Sequence, residues 1–155
     1  MGAIASGGVR VLNDDVVSRG GIGPEVLEAV TAGEQRELER REREYRGSRP
    51  AVAIAGRHVL AIDDGLATGA SMRAAVAALR AAGAASITVA APVAAAATCA
   101  QLAREADAVV CARTPDPFLA VGVWYRDFAS VGDEEVRRLL ARSPPGEGPW
   151  LAPGR

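Results

Sequence analysis

The sequence predicts an α/β fold built on a parallel-sheet, Rossmann-like core, and three observations predict it. From residue 57 onward, short apolar runs alternate with helical patterns through short connections, which is the pattern of right-handed βαβ units. One run, residues 86–92 (SITVAAP), is apolar without alternation, as expected of a parallel strand covered on both faces. Residues 59–71 (VLAIDDGLATGAS) read as strand, acidic pair, Gly-bounded loop and helix start in unbroken succession.

Composition narrows the function classes. At 155 residues one domain is expected, here residues 1–142, followed by a Pro/Gly-rich tail, 143–155, expected to be disordered. Hydrophobic residues make up 49% of the chain but aromatics only 4%, so the core must be thin layers of Ala, Val, Leu and Ile. A net charge of −1 gives no reason to expect a nucleic-acid partner. Every basic side chain except His58 is Arg, which excludes a lysine acid, base or Schiff-base site within this chain. No signal peptide and no membrane-spanning apolar run are legible, so no membrane partner and a cytoplasmic location are expected. Cys99 and Cys111 are too few for a disulfide framework, lack metal-ligand spacing and sit among apolar residues, so buried, inert thiols are expected.

Taken in order, residues 1–6 and 9–13 are strand-like runs joined at Gly7-Gly8 as a hairpin. Asn13-Asp14-Asp15 fit a turn or helix cap better than a metal site. Ser18-Arg19-Gly20-Gly21 read as a turn preceding a helix that Pro24 begins, with Val26, Leu27 and Val30 as its apolar face. Beyond Gly33, residues 34–46 hold five Glu and five Arg, with only Leu38 and Tyr45 apolar. Glu37–Arg41, Glu39–Arg43 and Glu42–Arg46 are i,i+4 pairs worth about 0.2–0.5 kcal/mol each, so this is a solvated helical arm, ended by residues 47–50. Residues 51–54 are a short extended piece. His58 could be a general base by type, but it stands at the start of a strand, opposite the ligand-facing end.

Residues 59–62 form the central strand, expected to be buried, and 70–82 an Ala-rich helix with Met72, Val76 and Leu79 on one face and Gly83 as its stop. Strand 86–92, helix 98–105 and strand 108–111 follow. Residues 114–117 are a loop and 118–123 a last apolar segment. A final amphipathic helix spans 131–140, with Asp133, Glu134 and Glu135 in its first turn.

The chemistry is concentrated at residues 63–71. A helix N-terminus presents free N–H groups and the positive end of its dipole, glycines let the backbone come close, and Thr68 and Ser71 add hydroxyl donors. Asp63 and Asp64 can accept hydrogen bonds from sugar hydroxyls. Together they suit a phosphorylated sugar.

These thirteen contiguous positions resemble the phosphoribosyl-pyrophosphate (PRPP) motif of type I phosphoribosyltransferases, and the likeness extends to about residue 140 through MGAIASGGVRVLN, the Glu/Arg helix and TPDPFLAVGVWYRDF. It looks closest to a group of bacterial phosphoribosyltransferases. The resemblance implies transfer of ribose 5-phosphate from PRPP to a nitrogenous base with release of pyrophosphate, as in purine or pyrimidine salvage, with Mg²⁺ as cofactor and a homo-oligomer as a compatible state. It implies that Asp63 and Asp64 hold the ribose hydroxyls as the catalytic pair, and that Gly65, Leu66, Ala67, Thr68, Gly69 and Ser71 cradle the 5′-phosphate. Phe118 and Trp124 are the implied candidates for the base pocket, and Tyr45 and Arg46 for a mobile loop over the reacting centre. Ala67 stands where members acting on 6-oxopurines carry an acidic residue, which disfavours a hypoxanthine-guanine enzyme. The family also has a strand and pyrophosphate-binding loop upstream of the segment resembling residue 1, so the resemblance leads us to expect an N-terminally incomplete core. A non-catalytic PRPP- or nucleotide-binding protein, or an inactive fragment, is the alternative.

Overall fold

The computed structural model describes residues 2–47 and 52–142. The tail 143–155, residues 48–50 that were expected to end the charged helix, and the first residue of the extended piece 51–54 lie outside that range.

Strands β3 (His58–Ile62), β4 (Ser86–Val93) and β5 (Ala108–Arg113) form a parallel sheet in that order, so β4, and not the strand at 59–62 as expected, is central. The register runs from His58 opposite Ser86 to Ile62 opposite Ala90, and from Thr88 opposite Ala108 to Val93 opposite Arg113. Helix α3 (Ala70–Ala81) connects β3 to β4, and α4 (Ala96–Leu102) connects β4 to β5. The parallel α/β core expected from the alternating pattern is therefore present. Its centre is Ile87, Val89 and Ala91 of β4 against Met72 and Val76 of α3 and Leu102 of α4, closed by Leu66 and Ala94.

That core occupies one face of the sheet. The pleat sends alternate side chains to opposite sides, so Val59 and Ala61 turn inward while Leu60, Ile62 and Val110 are 54%, 70% and 56% exposed. The expectation of strands buried on both faces is corrected accordingly. An apolar run marks strand propensity, but not which layer lies above it.

Strands β1 (Gly2–Ala5) and β2 (Val9–Leu12) pair antiparallel as the expected hairpin, which lies against α3. Alanines on α3 let the hairpin and the sheet approach it from two sides, and Ala74 is fully buried. Asn13 caps α1 (Asp14–Arg19), its side chain accepting the Val16 N–H at 3.3 Å, as expected of a cap. Gly20 and Gly21 then turn the chain into α2 (Pro24–Arg46), one unbroken 23-residue helix that runs through Gly33 and buries no residue.

Glu37–Arg41 pairs at 2.7 Å as the spacing predicts, whereas Glu39 accepts from Gln35 and Glu42 from Ser6. Arg40 binds Glu37, Glu44 and, at 3.1 Å, Asp133 at the start of α5 (Asp133–Ala141). The arm is thus partly spent on holding the last helix. Residues 118–123 form no strand; a 3₁₀ turn, Gly122–Trp124, interrupts an irregular stretch. Helix α4 begins two residues earlier than its pattern suggests. Cys99 in α4 and Cys111 in β5 are joined as a disulfide, which corrects the expectation of two free thiols: twelve residues apart in sequence, they face each other where α4 lies against β5. Among the described residues no helix is long and apolar enough to cross a membrane.

Candidate functional site

The candidate site lies at the C-terminal end of β3, where open parallel sheets ordinarily bind ligands. Asp63 continues the ladder for one more bond, its N–H donating to Ala90 O at 3.1 Å. Its side chain folds forward, and Oδ1 accepts the Asp64 N–H at 2.9 Å. Burial pushes the Asp63 carboxyl above its ordinary range; the Asp64 N–H opposes that rise, and the neighbouring Asp64 charge adds to it. Asp64 is exposed.

The loop that follows is anchored at Leu66. This side chain is 1% exposed, its N–H donates to Val93 O at 3.0 Å, and its carbonyl accepts the Ala95 N–H at 2.9 Å. Leu66 therefore holds the loop from below, with its backbone polar groups already occupied. Ala67 and Thr68 are exposed, and Thr98 Oγ1 donates to Ala67 O at 2.5 Å.

Gly69 takes φ +70°, the left-handed region that L side chains rarely adopt, and a Cβ there would lie 2.6 Å from Thr98 Cγ2. As the N-cap of α3 it offers no side chain to the helix. An N-cap side chain ordinarily satisfies one of the first orphan N–H groups. Here they remain open to an anion, with the helix dipole behind them. Ser71 is exposed in the first turn.

The segment after β5 closes over this loop. Val121 packs against Gly65 so tightly that no Cβ would fit there. Tyr125 Oη donates to the Asp64 carbonyl at 2.6 Å, and its ring lies 5.1 Å from that of Phe128. Trp124 and Tyr125 line a cavity of about 400 Å³ together with Pro92, Val93, Ala112 and Arg113. Phe118 is half-buried in the irregular stretch. A larger cavity, about 490 Å³, lies between the hairpin and α2 and touches Ser71 but not the acidic pair.

Tyr45 and Arg46 occupy the last turn of α2 rather than a loop, and Tyr45 Oη donates to Asp133 Oδ1 at 2.6 Å. That bond, with Arg40 behind it, pulls the Asp133 carboxyl down, and the same contact raises the Tyr45 phenol. His58, at the other end of β3, is within 2.7 Å of Ser86 Oγ.

The phosphoribosyl transferase domain family matches residues 3–124, most of the chain. The chain belongs to the phosphoribosyl transferase family. Two relatives provisionally named phosphoribosyl transferase, from Mycobacterium tuberculosis strains CDC 1551/Oshkosh and ATCC 25618/H37Rv, are each 42% identical over 142 residues. Those alignments cover 92% of this chain, which spans about a third (32%) of the relatives' length. The crystal structure of TT1426 from Thermus thermophilus superposes with a TM-score of 0.72 at 37% identity, over 91% of this chain and 66% of that one.

Three residues that sequence reasoning did not single out contact the stretch 64–69: Thr98, Val121 and Tyr125. Thr98 carried a faint signal, a polar side chain within an Ala-rich helix. Tyr125 and Val121 had none, because their contacts span more than fifty residues of sequence.

Proposed function

We propose that the chain binds PRPP and transfers its ribose 5-phosphate unit to a nitrogen acceptor, releasing pyrophosphate. One observation carries the reading: two adjacent carboxylates follow β3, and the loop after them leads into a helix whose first N–H groups have no side-chain cap. A 5-phosphoribosyl group presents vicinal hydroxyls at one end and a phosphate at the other, and these two features match it.

In this reading Asp63 and Asp64 accept hydrogen bonds from the ribose hydroxyls and favour the positive charge that develops on the sugar as the bond to pyrophosphate breaks. The amides of residues 68–71, with the Thr68 and Ser71 hydroxyls, hold the 5′-phosphate, so the sugar is fixed at both ends while its anomeric carbon moves from oxygen to nitrogen. The acceptor nitrogen loses its proton to solvent or to the departing pyrophosphate. Trp124, 44% exposed beside the 400 Å³ cavity, offers a ring for the acceptor base, and Phe118 stands nearby in sequence. Ala67 disfavours a 6-oxopurine acceptor.

Among the described residues no group of three or more His, Cys, Asp or Glu could hold a metal ion by itself. Two carboxylates fit a hard ion that keeps most of its water and arrives on the substrate, and Asp63 and Asp64 are the residues that would meet Mg²⁺. When bound, Mg²⁺ neutralises charge on the pyrophosphate leaving group.

Calorimetric titration with PRPP tests the binding step. Each charge-assisted hydrogen bond is worth about 1.5–3 kcal/mol, so Asp63→Asn with Asp64→Asn costs at least about tenfold in affinity. Unchanged affinity in the double variant removes the acidic pair from the site. Pyrophosphate release across a set of bases tests transfer; PRPP binding with no release for any base would leave a PRPP-binding protein.

A further inference from the structure

We infer that Thr98 is the positioning residue of the anion loop, an inference that rests on reading residues 68–71 as the phosphate site. A loop that offers N–H groups to an anion must keep its carbonyls turned away, because an outward carbonyl dipole repels negative charge. The two carbonyls immediately before the cradle, those of Leu66 and Ala67, are both held inward by the start of α4. Ala95 N–H takes the first at 2.9 Å, and Thr98 Oγ1 takes the second at 2.5 Å.

Thr98 is a buried polar side chain, 7% exposed. A hydroxyl buried to that extent is costly unless bonded, so the bond to Ala67 O stabilises both partners. The methyl of the same side chain fills the space beside Gly69, where a Cβ would meet Cγ2 at 2.6 Å. One residue thus fixes the loop at two points: its hydroxyl sets the direction of the Ala67–Thr68 peptide, and its methyl backs the left-handed Gly69 that opens α3. Its own support is firm, since the next residue, Cys99, is bridged to β5 and donates its N–H to Ala95 O at 3.1 Å. Without the hydroxyl, the Ala67 carbonyl is free to rotate toward solvent and toward a bound phosphate.

The test uses the full chain and two probes, ribose 5-phosphate and ribose, titrated by NMR, which reads millimolar binding. Thr98→Val keeps the branched shape and removes the hydroxyl; Thr98→Ser keeps the hydroxyl and removes the methyl. The expected result is at least a tenfold loss of ribose 5-phosphate affinity in Thr98→Val, ribose affinity within about twofold of wild type, and phosphate affinity largely restored in Thr98→Ser. Thr98→Ala, which also lacks the hydroxyl and adds no bulk, gives the same comparison if the valine variant does not fold. Wild-type affinity for ribose 5-phosphate in the hydroxyl-free variants, or equal loss of both probes, overturns the positioning role alone. A wild-type chain that binds ribose but not ribose 5-phosphate overturns the phosphate-site reading and this inference with it.

Discussion

Asp63 illustrates how a residue proposed to bind ligand can work against the stability of its own fold. Its carboxyl is pushed above the ordinary value of 3.8, first by burial and then by the Asp64 charge, with the Asp64 N–H acting the other way. A raised carboxyl favours the folded state most while protonated. Its contribution is full below the unfolded value and is lost as pH rises through the folded one. Once ionised, the side chain is therefore a cost in the ligand-free protein. Asp63→Asn keeps the acceptor for the Asp64 N–H and removes the charge. Urea denaturation should show the variant gaining on wild type as pH rises above 3.8, while ribose binding weakens. A stability difference that does not change with pH would show that burial does not act on this carboxyl. The same position illustrates what a sequence can and cannot convey. The acidic pair is legible as a pair because the residues are adjacent; that one is half-buried and the other exposed is something adjacency does not reveal.

Among the elements, α2 and α5 are joined by a set of charged and polar contacts, and neither helix buries a residue fully. Arg40 and Tyr45 meet on Asp133, and Arg137 reaches Glu44 at 3.4 Å. Hydrogen bonds from Arg40 and Arg41 hold the Glu37 carboxyl at about 2, below its ordinary 4.5, and Tyr45 and Arg40 lower Asp133 in the same direction. For lowered carboxyls the stabilisation is present above the unfolded value and is lost as pH falls through the folded one. Between pH 4.5 and about 2 the clasp should therefore open. Glu37→Gln should flatten that acid limb of the melting-temperature curve. Both carboxylates are more than a third exposed, so 1 M salt should shrink the difference between variant and wild type. An acid limb identical in the two proteins would argue that the network is decorative. The repeated Glu and Arg make a solvated helix legible from spacing alone. Its attachment to α5 is not, because Tyr45 and Asp133 lie 88 residues apart. The start of α4 is hidden for a related reason: Ala95 is its N-cap without a side-chain bond, so no capping residue announces it.

Across the whole molecule, the uneven coverage of the sheet is the feature with the largest consequence. Parallel strands are ordinarily covered on both faces. Here α3 and α4 cover one, and Leu60, Ile62 and Val110 stand exposed on the other. Apolar runs such as VLAI make the strands legible; the open face is not legible, because a run of apolar residues reads the same whether or not anything lies above it. Exposed, contiguous apolar side chains on a flat sheet drive association, since burying them removes apolar surface from water. The 155-residue chain should therefore self-associate as its concentration rises, with a weight-average mass above 15.9 kDa in sedimentation equilibrium. Leu60→Thr with Ile62→Thr keeps β-branched or strand-compatible residues in β3 while removing apolar area, and it should return the mass toward the monomer. Val131→Thr is the control, because Val131 is 60% exposed but lies outside the sheet. If the control lowers the mass as much as the β3 substitutions do, association is generic and the sheet face is not its seat. If only the β3 substitutions lower it, the uncovered face is where this domain meets its neighbours.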